Sequence, residues 1–327
     1  MPRLQTRIIA IGFCLFVFGP LVLHLAGVRP GAVDNRRLTA APEVSPGRVL
    51  DDVYWSEWTD YFADAFPLRE AAIRANLRID QSIFDTSAST VVQGDEGWLY
   101  LDESFTRLCD AALTPTQAVD RLVEVVDGWA ADGTPVVVPV VPSKLTIYPE
   151  FLDEDARDRA ECTDEAVAEL RTAVDAAGVD WFAPLWDDLV AAKDDGPVYF
   201  RKDTHWTDPG AMVGLAAMVD GVGGDWVDDA VVEVGTIDWE GDLTRLTGIP
   251  STEPTERLAV ERPGVEVTLV SEFEPGEDRI VVYEASGPEG ALLPGTTLVV
   301  HDSFFEPGLS RHLLEAHAAF AERTVYL

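Results

Sequence analysis

The sequence predicts an α/β protein, a three-layer α/β/α sandwich. Two observations carry that prediction: helical and strand-like segments alternate along the chain, and the strand-like ones include unbroken apolar runs. "PVVVPVVP" (135–142) and "TTLVV" (296–300) are runs of the kind that parallel strands show when covered on both faces.

From Asp51 to Phe84, aromatic and aliphatic residues recur at helical spacing, predicting one or two helices. "STVVQGDEGWLYL" (89–101) reads as two short strands around a Gly-Asp-Glu-Gly turn. Thr114-Pro115 opens a helix, with Leu122, Val125, Val126 and Trp129 as its apolar face. After the Val-rich run, a helix is expected from Thr163 to Ala177, ended by Gly178, and then a strand at "VDWF". "VYF" (198–200) is expected to be a strand, and Asp208-Pro209 to begin a helix carrying Met212, Leu215, Ala216 and Val219. From about 231 to 295 the chain turns β-rich, and this stretch is read as an insertion. The alternation resumes with "TTLVVHDSF", a helix through "LSRHLLEAHAAFAE" and a last strand "RTVYL". There is no internal repeat.

The chain is 327 residues long, with 58 acidic and 24 basic side chains and a net charge of −34. Such a surface repels phosphate backbones, which excludes nucleic acid as a partner. A uniformly acidic composition explains the charge better than one acidic binding site. Residues 8–28, "IIAIGFCLFVFGPLVLHLAGV", hold no charged residue and are long enough to span a bilayer. No small-x-small cleavage site follows promptly, so 1–28 reads as a cytoplasmic stub and transmembrane signal anchor, with a cleaved signal peptide as the alternative. Arg3 and Arg7 favour an inside N-terminus, whereas Arg29, Arg36 and Arg37 argue against it. Residues 29–50 read as a linker, and 51–327 as one domain outside the cytoplasm. Cys109 and Cys162 are the two cysteines beyond the apolar segment. They suit one disulfide in an oxidising compartment, and two separate buried thiols are the alternative.

In open α/β sheets, reactive groups sit just past the carboxyl ends of strands. Three loops qualify: Pro142-Ser143-Lys144, Lys202 to Thr207, and His301 to Phe305. Ser303 stands between a strand and a helix, where a nucleophile elbow would hold it. A Ser hydroxyl needs a base to take its proton and a carboxylate to orient that base. His205 and Asp203, two positions apart, supply both. Each piece alone has a plainer reading: Asp-x-His as a solvated loop, Asp302-Ser303 as a helix cap, Trp206 as core. Asp208-Pro209 is read as a cap only. A metal site built from Asp203, His205, Asp208 and His301 is the remotest possibility; neither a metal nor a cofactor is expected.

"DTHWT" and "DSF" resemble the SGNH-hydrolase-like domain of the alginate O-acetyltransferase family (the AlgX/AlgJ type). Further similar pieces follow in that family's order: "NRRLTAAP", "DAFPLRE", "GDEGWLYL", "VPSKLTIYPE" and "EGDLTRL". The ordered set covers about residues 34 to 310. The resemblance implies an SGNH-like fold, with Ser303 as nucleophile, His205 as general base and Asp203 as its orienting carboxylate. It also implies a membrane-anchored O-acetyltransferase that passes acetyl through an acetyl-serine to an exported polysaccharide. A multi-pass membrane O-acyltransferase would supply the acetyl. A carbohydrate acetylesterase using the same residues and a non-catalytic glycan-binding component are the alternatives. Lys144, Trp206, His301 and Tyr148 are candidate substrate contacts, with a structural ion pair as the other reading of Lys144. His301 departs from the Gly usual before such a motif, and the substrate groove is expected on the catalytic domain itself.

Overall fold

A computed structural model describes residues 51–64, 90–130, 133–247, 251–272, 280–305 and 307–327, with scattered positions before 51. It resolves into two compact units, Met1–Ser89 with Thr244–Pro250 and Thr90–Leu243 with Ser251–Leu327. In the first unit, helix α1 (Asp52–Asp64) carries a ladder of rings. Tyr54 meets Trp58 edge-on, and Trp58 stacks on Phe62 with centroids 5.5 Å apart, pairs at i and i+4 on one helix face. The rest of the expected helical stretch to Phe84 lies outside the described residues. Among those described, no helix is long and apolar enough to cross a membrane. Most of segment 8–28 also lies outside them.

The second unit begins with the antiparallel pair β1 (Val91–Gln93) and β2 (Leu99–Leu101) around the Asp95–Gly97 turn, as the Gly-rich turn predicts. Helix α2 (Pro115–Ala130) packs Val119 against Ala173 and Val174, with Val123 alongside. Val126 is also buried, but Leu122, Val125 and Trp129 of the expected inner face are 36%, 55% and 58% exposed. The helix carries two apolar stripes, and the one through Val119 and Val123 packs inward, in a cluster that also holds Val140 and Phe182.

Strand β3 (Val138–Val140) pairs in parallel with β4 (Phe182–Pro184). The apolar run yields only three strand residues, half-buried. Prolines 139 and 184 lack the N–H that would extend the ladder. After the single turn α3 (Lys144–Ile147) comes α4 (Glu154–Ala177), which starts nine residues earlier than expected. Its start is set by Asp153, whose carboxylate accepts the N–H of Ala156 at 2.8 Å. Gly178 ends it in the left-handed region, φ 64°. Cys109 and Cys162 are joined in a disulfide that ties the loop after β2 to α4.

Helix α5 (Trp186–Ala192) leads into the loop holding "VYF". That stretch is not a strand; a single antiparallel bridge, Tyr199 to Trp206, folds the loop back on itself. Helix α6 (Asp208–Gly221) follows, with Thr207 as its cap and Pro209 in its first turn. At Gly214 an added Cβ would lie 2.6 Å from the Trp206 ring, so glycine is what lets the helix lie flat on the loop.

Strands β5 (Val231–Glu240) and β6 (Thr252–Val260) form a hairpin whose connection holds the short helix α7 (Asp242–Leu246). Strands β7 (Glu266–Glu272), β8 (Val281–Ser286), β9 (Leu293–Val299) and β10 (Ala321–Tyr326) form one sheet in the order β7-β8-β10-β9. Only β9 and β10 run parallel, joined by α8 (Pro307–Ala318). Strands from the β-rich stretch and from the resumed alternation thus share a sheet. Leu215 and Met218 of α6, Leu313 and Leu314 of α8, and Tyr283 and Tyr326 of the sheet belong to one continuous core. That core brings the two loops of interest together.

Candidate active site

The loop from Arg201 to Thr207 is held from several sides. Lys144, buried beneath it, donates to the carbonyls of Phe200, Arg201 and Asp203 at 3.2, 3.3 and 2.7 Å. Glu253 accepts the N–H groups of Arg201 and Lys202 at 3.2 and 2.8 Å. Asp242 accepts the Thr204 N–H at 2.9 Å and its hydroxyl at 2.5 Å. Gly241 passes so close that an added Cβ would sit 2.0 Å from the Lys202 carbonyl oxygen.

Asp203 is 1% exposed, and both of its carboxylate oxygens are used. Oδ1 accepts the His205 N–H at 2.9 Å and lies 2.7 Å from His205 Nδ1. Oδ2 accepts Trp239 Nε1 and the Asp242 N–H, each at 3.0 Å. A carboxylate only accepts, so His205 must carry its proton on Nδ1 and leave Nε2 as an acceptor. Nε2 lies 2.9 Å from Ser303 Oγ, across 98 residues of sequence. The hydroxyl therefore donates to the imidazole, and the imidazole donates to the carboxylate.

Ser303 opens a 3-10 turn, Ser303–Phe305, after β9. The elbow expected to run straight into a helix is instead this short turn followed by α8. Asp302 Oδ1 accepts the Phe304 N–H at 3.0 Å and steadies the turn. The Phe304 ring stands edge-on to His205 and Trp206, with centroids 5.2 and 5.0 Å away. Ser303 itself is exposed.

The electrostatics follow from this packing. Burial works against a charge on Asp203. The His205 hydrogen bond, the His205 charge and the N–H groups of Asp242 and His205 outweigh it, holding the carboxyl below its usual range. Burial likewise opposes protonation of His205. Its bond to Asp203 and the charges of Asp203, Asp242 and Asp302 outweigh that, and its pKa is raised. Asp242 is raised by burial and by the neighbouring Asp203 charge. Lys144 is pushed down to about 7 by burial, against the pull of Asp203, Asp242 and Glu253.

Of the other four candidate residues, Lys144, Tyr148 and His301 fall elsewhere and Trp206 borders the cleft. Lys144 binds backbone carbonyls instead of substrate, so neither the substrate-contact nor the ion-pair reading describes it. Tyr148 is core: it stacks on Trp98 with centroids 4.3 Å apart, and its hydroxyl accepts the Val198 N–H at 3.0 Å. Trp206 is buried and contributes to the cleft's lining. His301 turns away, its Nδ1 donating to the Asp302 carbonyl at 2.9 Å and its ring facing Tyr326. Whether a side chain beside a strand end faces solvent is set by the elements packed over it, which position in sequence does not tell. The four-residue metal set dissolves too, because Asp208 and His301 have other partners. Asp203, His205 and Asp242 do lie close enough to share an ion. Their oxygens, however, already accept the hydrogen bonds above, which a cation would have to displace.

A small, open cleft lies beside Ser303 and His205, lined also by Phe200, Trp206, Asp208, Trp239, Arg257, His312 and Leu313. Trp239, Asp242, Glu253, Arg257 and His312 were missed as site residues. Asp242 lies within "EGDLTRL", a signal that was in hand; Arg257 and His312 stand in no motif. Asp208, expected as the cap of α6, is instead its first residue behind the Thr207 cap, and its carboxylate meets His312 Nε2 at 2.8 Å.

A carboxylate, an imidazole and an accessible serine hydroxyl thus lie in line on an α/β scaffold, an arrangement that several hydrolase-like folds share. A family model for the SGNH hydrolase-like domain of the acetyltransferase AlgX matches residues 91–316, and the chain belongs to that family. Its fold is the SGNH-hydrolase-like α/β fold. It is 30% identical over 202 residues to the probable alginate O-acetylase AlgJ of Pseudomonas syringae pv. tomato, covering 58% of this chain and 50% of that protein. To the AlgJ of Pseudomonas putida it is 29% identical over 249 residues, covering 74% and 62%. The chain thus spans about half to two thirds of the length of these relatives. Among solved structures, the O-acetyltransferase domain of P. putida AlgJ aligns with TM-score 0.47 and 19% identity, covering 72% of this chain and 78% of that one. Pseudomonas aeruginosa AlgX aligns with TM-score 0.48 and 17% identity, covering 72% and 54%.

Proposed function

We propose that this chain is a membrane-anchored, extracytoplasmic O-acetyltransferase that acetylates an exported polysaccharide through Ser303, His205 and Asp203. The observation that carries the reading is the pair of contacts in line, 2.9 Å from Ser303 Oγ to His205 Nε2 and 2.7 Å from His205 Nδ1 to Asp203. Family membership supports acetyl chemistry, and the disulfide supports an oxidising compartment.

Ser303 Oγ attacks the carbonyl of an acetyl donor while His205 Nε2 takes its proton. The tetrahedral adduct collapses, His205 returns that proton to the leaving group, and an acetyl-serine remains. A sugar hydroxyl then attacks the acetyl carbonyl. His205 takes the sugar's proton and gives it to Ser303 Oγ as the acyl bond breaks. Asp203 stays ionised throughout and stabilises the imidazolium formed in each half. Residues 8–28 would tether the domain, and a multi-pass membrane acyltransferase would deliver acetyl across the bilayer.

A second reading, an acetylesterase, rests on one observation: Ser303 is exposed, and water reaches an exposed acyl-serine. Supplying p-nitrophenyl acetate with an acceptor oligosaccharide separates the two. Acetylated oligosaccharide is the expected product; release of acetate with no transfer would favour the esterase. Unaltered acetylation by Ser303→Ala in cells would make the chain a non-catalytic component.

A further inference from the structure

Beside Ser303 and His205, the cleft is lined by a guanidinium that the proposed chemistry does not use. Arg257 leaves strand β6 and is held at one end only. Its Nη1 donates to Asp208 Oδ1 at 3.4 Å and lies 2.8 and 3.2 Å from Nε2 and Nδ1 of His312. His312 Nε2 also lies 2.8 Å from Asp208 Oδ2. A carboxylate cannot donate, so Nε2 carries the proton shared with Asp208, and only Nδ1 can accept from Arg257. The Leu258 N–H completes the Asp208 carboxylate at 2.9 Å. Asp208 and His312 thus hold each other and the Nη1 end of Arg257. They sit on two helices, α6 following the His205 loop and α8 following the Ser303 turn.

The guanidinium carbon lies 5.9 Å from the Trp239 ring, and Phe200 stacks on that ring with centroids 5.3 Å apart. Among the described residues, Nε and Nη2 of Arg257 make no hydrogen bond. These two nitrogens form the edge of the guanidinium that grips two oxygens side by side. A fixed, always-charged fork that lines the cleft with its paired donors unused has a binding-site form. In a chain of net charge −34, it is also a local exception to the surface charge.

We propose that Arg257 is the acceptor-binding residue, its Nε/Nη2 edge gripping a pair of neighbouring oxygens on the sugar to be acetylated. Asp208 and His312 are positioning residues that aim it. The shared chemistry is a bidentate oxygen pair, which a sugar carboxylate or a vicinal diol can supply. The inference rests on the proposed glycan reading but is tested apart from it, by binding to a protein that cannot turn over.

Calorimetric titration of Ser303→Ala protein uses two probes, a hexuronic-acid oligosaccharide and its carboxyl-reduced form. Adding Arg257→Gln is expected to weaken binding by about tenfold or more, the worth of a charge-assisted hydrogen-bonded pair. Weakening confined to the hexuronate assigns the carboxylate, and weakening of both assigns the diol; either supports the subsite. Arg257→Lys keeps the charge but not the fork and should recover less than half of the loss. Thermal melting of each variant verifies the fold. In Ser303-intact protein, Arg257→Gln should raise KM for acceptor about tenfold while kcat at saturating acceptor falls less than threefold. Equal affinities with and without Arg257, or no binding of either oligosaccharide, would overturn the proposal. Arg257-dependent binding without any acetyl transfer would instead sink the transferase reading alone.

Discussion

The two halves of the site are built in opposite ways. The Asp203–His205 loop is sunk in the protein: Asp203 accepts four hydrogen bonds, Lys144 draws together three carbonyls beneath it, and Glu253 and Asp242 pin its N–H groups. Ser303 sits on one exposed turn, its hydroxyl bonded to His205 itself. In the proposed mechanism the difference follows from what each must do. A base needs a fixed tautomer and direction, which many buried bonds provide. A nucleophile must meet an incoming acyl group, which burial would prevent.

The comparison can be broken most severely on its simple side. Ser303→Ala removes the attacking oxygen and should lower ester turnover by about 10⁴-fold or more, with melting temperature nearly unchanged because the side chain packs against little. Stopped acetyl release in a p-nitrophenyl acetate assay, beside an intact melting curve, is the expected result.

On the buried side, Asp203→Asn should lower kcat by about 10³-fold, since an amide can hold the wrong tautomer. It should also move the pH profile. The Asp203 charge raises the His205 pKa above its ordinary 6.5, so the wild-type acidic limb lies above that pH. Without the charge the pKa falls, and the limb shifts to lower pH. A limb that stays in place would show that Asp203 does not set the protonation of His205.

Lys144→Met tests the support beneath. Displacing the loop by about 1 Å would cost on the order of 10²-fold in rate, and three orphaned carbonyls about 3 kcal/mol in stability. The sign of the pH effect is definite. Lys144 sits near 7 in the fold against 10.5 unfolded, so between those values the unfolded chain binds more protons. This group therefore makes stability rise with pH from about 7 to 10.5. Chemical denaturation across that range should show the slope in wild type and lose it in Lys144→Met.

The mildest break is Trp239→Phe. It keeps a ring on Phe200 but removes the N–H bonded to Asp203 at 3.0 Å, and a loss of about tenfold in kcat is expected. No loss at all would mean that Asp203 needs fewer donors than it has.

Part of this was open to inspection in one dimension. Asp203 and His205 are adjacent enough that their own loop brings them together. Ser303 follows the apolar run that forms β9, so its turn emerges at a strand end, although Leu298 and Val300 are exposed and the run is not covered on both faces as expected. Gly178 as a helix stop and the Gly-rich β1–β2 turn are local chemistry and were readable as such. The helix start at Asp153 was equally local, yet the stronger apolar periodicity beyond Thr163 masked it.

What no local pattern held was direction and company. Lys144 and Tyr148 lie in a stretch that resembles the family's, but burial turned both inward. Asp208 is a cap by sequence, and only the packing of α6, β6 and α8 adds Arg257 and His312 to it. Trp239 and Asp242 reach Asp203 from across the β5–β6 hairpin. Residue type and local spacing therefore singled out the candidate reacting groups, Asp203 and His205 because two positions separate them and Ser303 because it follows a strand. The fold alone joined His205 to Ser303 across 98 residues. Which groups support, aim and surround them was decided by the tertiary structure alone, because those contacts are made between elements that the sequence keeps 36 to 104 residues apart.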